Sequence, residues 1–317
     1  MSKLVIMVGL PGSGKSTYVK KHYKDYKIFS SDHYRKIILG DENNQSNSPR
    51  IFAALFNDLA TALEKGYDCV VDATNCKYKS RVMAIQLGKK YNCTIEAVVI
   101  HQPIEVCIDQ DKKRNRTVGE AVIKKFASGY KFPQYWEGFD IISVIYDNHN
   151  TINQEKANDT IKDLKLKMDL FEQFNPHHNK TVDKHSDAII TQINCEYNKG
   201  NITDKEKDIL TLAATWHDFG KLYTQSFDEK GIAHYLGHAN YSVLKILDYI
   251  YYYGNNFSNL NEKDFIEALF YINNHMEIRE ILRSEKSIFK WKKRWGEHRF
   301  ELLVKFSEWD DKACLNI

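Results

Sequence analysis

The sequence predicts two unlike parts, an α/β region built on a parallel sheet and, after it, an all-α region. Three observations carry this reading. An apolar strand breaks into Gly-Leu-Pro-Gly-Ser-Gly-Lys-Ser-Thr at residues 9–17, four further short apolar runs alternate with helical patterns as far as residue 146, and beyond a polar, Asn-rich stretch at 147–160 the periodicity turns helical. At 317 residues the chain is long for one core. The expected layout is a domain at 1–150, a linker and connecting helix at 151–169, and a second domain at 170–317.

The opening run, Lys3-Leu-Val-Ile-Met-Val, is a strand, and the turn after it is a phosphate cradle. Gly9 and Gly14 bracket four residues ahead of Lys15 and Ser16. Main-chain N–H groups of Gly9, Gly12, Ser13, Gly14, Lys15, Ser16 and Thr17 can then wrap a polyphosphate, Lys15 can reach its β/γ oxygens, and the Ser16 hydroxyl can ligate Mg²⁺. A helix from Lys15 to His22 follows, then a strand from Lys27 that ends in Asp32. Asp32 reads either as the N-cap of a helix running to Leu39 or as a general base, with Arg35 one turn on holding an acceptor's phosphate. Strands at Cys69–Asp72, Thr94–Ile100 and Ile141–Tyr146 complete a parallel sheet with helices on both faces, so residues just past strand ends matter most. Asp72, in Asp-Ala-Thr-Asn75, either supports Mg²⁺ and the acceptor or belongs to a turn. The basic helix Asp109–Arg116 falls where a lid would lie, with an arginine able to neutralise charge on a transferred phosphoryl group.

These motifs, with Val118-Gly-Glu-Ala-Val-Ile123, resemble the kinase domain of the phage polynucleotide 5′-kinase family across residues 1–150. The resemblance implies ATP-dependent phosphorylation of a 5′-hydroxyl with Mg²⁺, Asp32 as base, Arg35 on the substrate's 3′-side phosphate and Asp72 behind the acceptor. It also implies a lid arginine, for which the spacing favours Arg114, with Arg116 as the alternative.

Past the joint, Ile161, Leu164, Met168 and Phe171 recur at helical spacing. His185 begins an apolar-faced helix, and His217-Asp218 interrupts the otherwise apolar helical run Leu210–Lys221. His238 opens one helical pattern, His275 closes another, and Asp310 lies in a third, where it shares a face with Leu303, Phe306 and Ala313 that Asp311 does not. Imidazoles and carboxylates converging from several helices suit first-row divalent ions with open positions. The order His, His-Asp, His, His, Asp, with Gly220-Lys221 after the pair, resembles the HD phosphohydrolase superfamily over residues 170–317. That resemblance implies two divalent transition metals of the Mn²⁺, Ni²⁺, Co²⁺ or Fe²⁺ class. His185, His217, Asp218 and Asp310 would surround one, His238 and His275 with a bridging Asp218 the other, and Lys221 would contact substrate phosphate. His177 and His178 read either as leaving-group contacts or as surface loop histidines.

Lys+Arg 45 against Asp+Glu 42 leaves a net charge of +3, so a nucleic-acid surface has to be a local patch. One candidate is Lys286–Arg299, where cations interleave with Phe289, Trp291 and Trp295; its alternative is a solvated helix whose tryptophans plug the core. The six cysteines form no C-x-x-C pair, and no apolar run reaches about 18 residues, so a cytoplasmic, non-membrane protein with reduced thiols is expected. The combined expectation is an end-healing enzyme that phosphorylates 5′-OH ends of RNA or DNA and removes a 2′,3′-cyclic, 2′- or 3′-phosphate from RNA. The alternative is a nucleoside or small-metabolite kinase fused to an HD nucleotidase or phosphodiesterase.

Overall fold

β1 (Lys3–Val8) is an apolar run because it is buried on both faces and flanked on both edges. In the computed structural model, which describes residues 1–41, 48–114, 117–146, 154–174, 180–253 and 260–314, the chain divides into two units, Met1–Asp147 and Asn148–Ile317. In the first unit β1 leads through the glycine-rich turn into α1 (Lys15–His22), β2 (Lys27–Ser30), α2 (Ser31–Leu39), α3 (Ser48–Glu64), β3 (Cys69–Asp72), α4 (Tyr78–Lys90), β4 (Thr94–His101), α5 (Ile104–Lys112), α6 (Glu120–Ser128) and β5 (Ile141–Tyr146). All strand pairings are parallel, in the order β2-β3-β1-β4-β5, with Val5 opposite both Val70 and Glu96. The α/β expectation holds, and the strand order reverses beside β1, so the glycine-rich turn sits at the crevice such sheets offer to ligands. Ile51, Leu55, Leu59 and Leu63 recur every fourth residue along α3 and are buried, which docks that helix.

One boundary differs from expectation. The second strand ends at Ser30, so Asp32 lies in the first turn of α2 and Ser30, not Asp32, is the N-cap. Nothing is lost electrostatically, because a carboxylate in a first turn still faces the positive helix end.

The second unit comprises α7 (Gln154–Asp169), α8 (Val182–Asn198), α9 (Asp204–Trp216), α10 (Lys221–Thr224), β6 (Ser226–Phe227), β7 (Ala233–His234), α11 (His238–Tyr253), α12 (Glu262–Asn274), α13 (Glu277–Ile281), α14 (Glu285–Trp295) and α15 (Glu297–Cys314). A capping box starts α9: Glu206 N–H donates to Thr203 Oγ1 at 3.2 Å and Thr203 N–H to Glu206 Oε2 at 2.8 Å. Ile189, Ile193, Leu210, Ala213, Leu247, Leu269, Leu303 and Phe306 form the shared core.

Two boundaries differ from expectation here. The polar stretch to Thr160, expected as a linker or exposed loop, already contains the start of α7 at Gln154, where Gln-Glu-Lys-Ala favours helix. The helical expectation for the unit holds, with one two-residue ladder added to it. β6 and β7 pair antiparallel across a turn in which Asp228 Oδ1 accepts from Lys230 N–H and Ile232 N–H, both at 2.9 Å, with Gly231 at φ +74°. Finally, α9 stops at Trp216, so His217-Asp218 occupies a turn rather than a helix interior. Among the described residues no helix is long and apolar enough to cross a membrane.

Candidate phosphate-loop cavity and metal centre

A cavity of about 550 Å³ opens over the glycine-rich turn, lined by Gly12, Gly14, Lys15, Ser16, Asp32, Arg35, Asp72 and Arg114 among others. Only glycine fits at residue 12: φ is +83°, and a Cβ there would lie 2.2 Å from the Cys107 carbonyl oxygen. Gly9 and Ser13 support the loop from behind, with Gly9 N–H donating to Thr74 O at 3.0 Å and Ser13 N–H to Leu10 O at 3.1 Å. Thr17 is exposed on α1. Lys15 is buried and donates to Leu10 O at 2.7 Å. Burial pulls its ammonium below the usual lysine range, opposed by Cys76 and Asp72 nearby. Burial likewise pushes Asp72 up, and a hydrogen bond from Ser16 together with the Lys15 charge pulls it back. Ser16 and Asp72 therefore meet beside Lys15, a pairing of hydroxyl and carboxylate suited to a hard divalent ion.

The two readings of Asp72-Ala-Thr-Asn75 separate along the segment. Asp72 faces the cavity, whereas Asn75 is a left-handed turn residue at φ +47° whose Nδ2 donates to Met7 O at 2.8 Å. Arg35 Nη1 donates to Asp32 Oδ1 at 2.7 Å, so the proposed base and phosphate anchor are ion-paired across one helical turn. Arg114 reaches the cavity, while Arg116 lies outside the described residues, as do His177 and His178. The anchoring of Arg114 was not legible in the sequence: its N–H donates to Asp111 O at 3.1 Å, and the buried Asp111 carboxylate accepts from Val118 N–H at 3.0 Å and Gly119 N–H at 2.9 Å. The Arg81–Glu137 pair was missed too. Its side chains are almost wholly buried, joined at 2.6 and 2.7 Å, and Arg81 also donates to the carbonyls of Asn75 and Lys131.

In the second unit all six expected ligand residues converge. His185 Nε2 lies 2.8 Å from Asp310 Oδ1 and 3.7 Å from Asp218 Oδ2, and His217 Nε2 lies 3.4 Å from Asp218 Oδ2 and 3.6 Å from Asp310 Oδ1. His238 and His275 reach Asp218 Oδ1 at 3.1 and 3.8 Å. Asp310 is buried and Asp311 points out, as the face argument required. Close approach makes the cluster possible: a Cβ on Gly220 would lie 2.0 Å from His238 O, so the turn and α11 touch main chain to main chain.

The donor set fits metal. His217, His238 and His275 direct Nδ1 at the carbonyls of Ala214, Tyr235 and Ile272, at 2.9, 2.8 and 2.9 Å. A carbonyl only accepts, so each Nδ1 carries the hydrogen, and the neutral form of each ring presents its Nε2 lone pair to the cluster. Two of those nitrogens, on His238 and His275, face each other at 3.0 Å, and buried His217 Nε2 has no hydrogen-bond partner among the described residues. A cation between them resolves both facts. His185, His217 and Asp310 form one group able to hold an ion, and His217, Asp218 and His275 another. Burial opposes ionisation of Asp218 and Asp310, yet the surrounding imidazoles, and Lys221 for Asp218, hold both well below the usual carboxylate range. Burial keeps His275 far below the ordinary histidine value, hence neutral and ligand-competent. Lys221 donates to Asp218 Oδ2 at 2.7 Å and to Gln173 Oε1 at 2.8 Å, and Arg279 Nη2 to Asp310 Oδ2 at 2.8 Å. Neither Gln173 nor Arg279 carried any signal in the sequence, because neither belongs to a spaced motif.

Residues 4–133 match the family model of the AAA domain. The first unit has the fold of a P-loop kinase domain. Relatives include a transcription factor bHLH140 of Arabidopsis thaliana (29% identical over 158 residues, 47% of this chain and 16% of the relative). A putative bifunctional polynucleotide phosphatase/kinase of Acanthamoeba polyphaga mimivirus is 24% identical over 151 residues, 45% of this chain and 33% of that protein. An L-seryl-tRNA(Sec) kinase of Methanococcus maripaludis is 23% identical over 187 residues, 55% of this chain and 72% of that protein. This chain thus spans a third or less of the first two. Among solved structures, one of the Pnkp1/Rnl/Hen1 RNA repair complex aligns with TM-score 0.37 at 23% identity, covering 39% of this chain and 42% of that one. A putative kinase from Chloroflexus aurantiacus aligns with TM-score 0.40 at 15% identity, covering 51% and 97%.

Proposed function

We propose that the chain is a bifunctional end-healing enzyme: its kinase domain phosphorylates 5′-hydroxyl ends of polynucleotides with ATP, and its helical unit hydrolyses a 2′,3′-cyclic, 2′- or 3′-phosphate at RNA ends. The observation that supports the proposal is that one chain holds both a cavity lined by Lys15, Ser16, Asp32, Arg35, Asp72 and Arg114 and a buried group of histidines and aspartates able to hold a metal ion. The mimivirus relative, whose name couples a phosphatase to a polynucleotide kinase, supports the pairing.

In the kinase domain the loop amides and Lys15 bind the β- and γ-phosphates, and Ser16 with Asp72 would hold Mg²⁺, which offsets phosphate charge when bound. Asp32 accepts the proton of the attacking hydroxyl, kept in position by its bond from Arg35. Arg35 also draws in the acceptor's own phosphate, and Arg114 approaches the transferred group from the lid. In the helical unit His185, His217, Asp218, His238, His275 and Asp310 would hold divalent metal, which activates water and clamps a phosphate when present. Lys221 pins Asp218 and adds positive charge to the floor of the site. The six cysteines are free thiols, which fits a reducing cytoplasm.

The test is an RNA carrying a 5′-OH and a 2′,3′-cyclic phosphate, incubated with ATP and divalent metal, with each end scored separately. Wild type should alter both ends, Lys15→Ala only the phosphorylated 3′ end, and Asp218→Ala only the 5′ end. A wild type that labels free nucleosides in preference to the RNA would replace the reading with the small-substrate alternative.

A further inference from the structure

α14 carries a pattern that neither site uses. On a 3.6-residue period Lys286, Phe289, Lys290, Lys293 and Arg294 fall within an arc of about 140°, with no acidic residue among them. Ile288, Trp291, Lys292 and Trp295 occupy the opposite arc. That inner face is accounted for: Trp295 is buried against Phe270, with ring centroids 5.1 Å apart, and Lys292 pairs with Glu297 and Glu301 at 3.3 and 3.1 Å. The outer face is not. Phe289 is 74% exposed, the largest such value for an aromatic residue described, and Lys286, Lys290 and Lys293 make no ion pair among the described residues. Arg294 and Lys290 lie over the Trp291 ring at 5.3 and 5.4 Å, which extends the aromatic surface beneath the cations.

We propose that this outer face of α14 is a binding surface for single-stranded nucleic acid, its cations following the sugar-phosphate chain and Phe289 stacking on a base. The choice of occupant rests on complementarity. A run of cations alone would suit any polyanion, but a bare aromatic ring set among them needs a partner that offers flat faces along with regularly spaced negative charge. Anionic lipid or an acidic polypeptide supplies the charge without the faces. With a net charge of only +3 over the whole chain, long-range attraction cannot concentrate nucleic acid on the protein, so a local stripe has to do it. The inference extends the polynucleotide reading and depends on it for the identity of the polyanion.

The experiment measures fluorescence anisotropy of a labelled 12-nucleotide oligouridylate against the full chain at a series of salt concentrations. Lys286→Glu/Lys290→Glu/Lys293→Glu should bind at least tenfold more weakly and flatten the log–log salt dependence by about 2, the value for losing three single-strand phosphate contacts. Phe289→Ala alone should weaken binding roughly tenfold with the salt slope unchanged, since stacking releases no counterions. A milder set, Lys286→Gln/Lys290→Gln/Lys293→Gln, guards against misfolding, with melting curves confirming a native transition. Unchanged affinity in these folded variants, in a wild type that phosphorylates the oligonucleotide, overturns the surface and leaves the end-healing reading standing. Loss of binding in the charge variants with none in Phe289→Ala, together with full competition by polyglutamate, overturns it in favour of an acidic protein partner. A wild type that modifies neither end of any oligonucleotide sinks the underlying reading instead.

Discussion

In the first unit the candidate phosphate loop lies within one turn, Gly9 to Thr17, whereas the candidate metal centre draws its side chains from positions 185 to 310. The first site is made mostly of main chain and stays open, a cavity of about 550 Å³. The second is made of side chains and is closed, with His185, His217, Asp218, His275 and Asp310 all 4% exposed or less. The contrast follows from the ligand. Main-chain amides suit a large, mobile polyanion, because they cannot be ionised and need no rotamer fixed. A small divalent ion instead requires lone pairs converging on one point, which only a packed core can hold still. The first site is accordingly vulnerable at its backbone, the second at its packing.

Substitutions can break or sharpen this contrast. Asp32→Asn should lower 5′ phosphorylation by about 10²- to 10⁴-fold, the range for removing a general base, while 3′-phosphate release continues at the wild-type rate; radiolabel transfer and phosphate release measured on the same preparation check it. A full retention of transfer would reassign Asp32 to anchoring its helix. Arg81→Ala should cost the kinase domain about 3–5 kcal/mol in urea unfolding, since Glu137 would be left charged and buried without a partner. Burial already pushes the Glu137 carboxyl upward, opposed mainly by the Arg81 charge and hydrogen bonds and also by the Gln134 N–H, so the loss should shrink as acid protonates it.

Gly220→Ala should destabilise the helical unit by about 1–3 kcal/mol and lower its metal content, because an added methyl would collide with His238 O and separate the turn from α11. Thermal melts with elemental analysis of the purified protein would show both. The smallest effect is the sharpest control: Asp311→Asn, at an exposed carboxylate paired with Arg279, should change phosphate release by less than about twofold, as expected of a surface ion pair. Asp310→Asn, one residue earlier, should abolish that release.

The glycine-rich loop, the five strands of the parallel sheet and the histidines and aspartates that cluster in the second unit were legible in the sequence. Each rests on an order that is local in the chain: a glycine spacing, an apolar run, a residue type on an apolar helix face. Even Asp310 against Asp311 could be decided that way, since a helix separates neighbours by about 100° and only one shares the face of Phe306. Where local order weakened, the reading slipped, as with the helix start at Gln154, the Asp228–Gly231 turn between β6 and β7, and the break of α9 before His217.

What only tertiary structure decided is how those residues are held. Asp111 accepting from Gly119, Arg81 pinning Asn75 beside its buried pair with Glu137, Gln173 sharing Lys221 with Asp218 and Arg279 bracing Asp310 are contacts between residues 6 to 56 positions apart. No periodicity encodes such pairs, because the partner of a buried charge is set by which surfaces the fold brings together. A chain announces the groups that meet a phosphate or an ion through short motifs, but their supports appear only once the hydrophobic core has fixed which distant residues become neighbours.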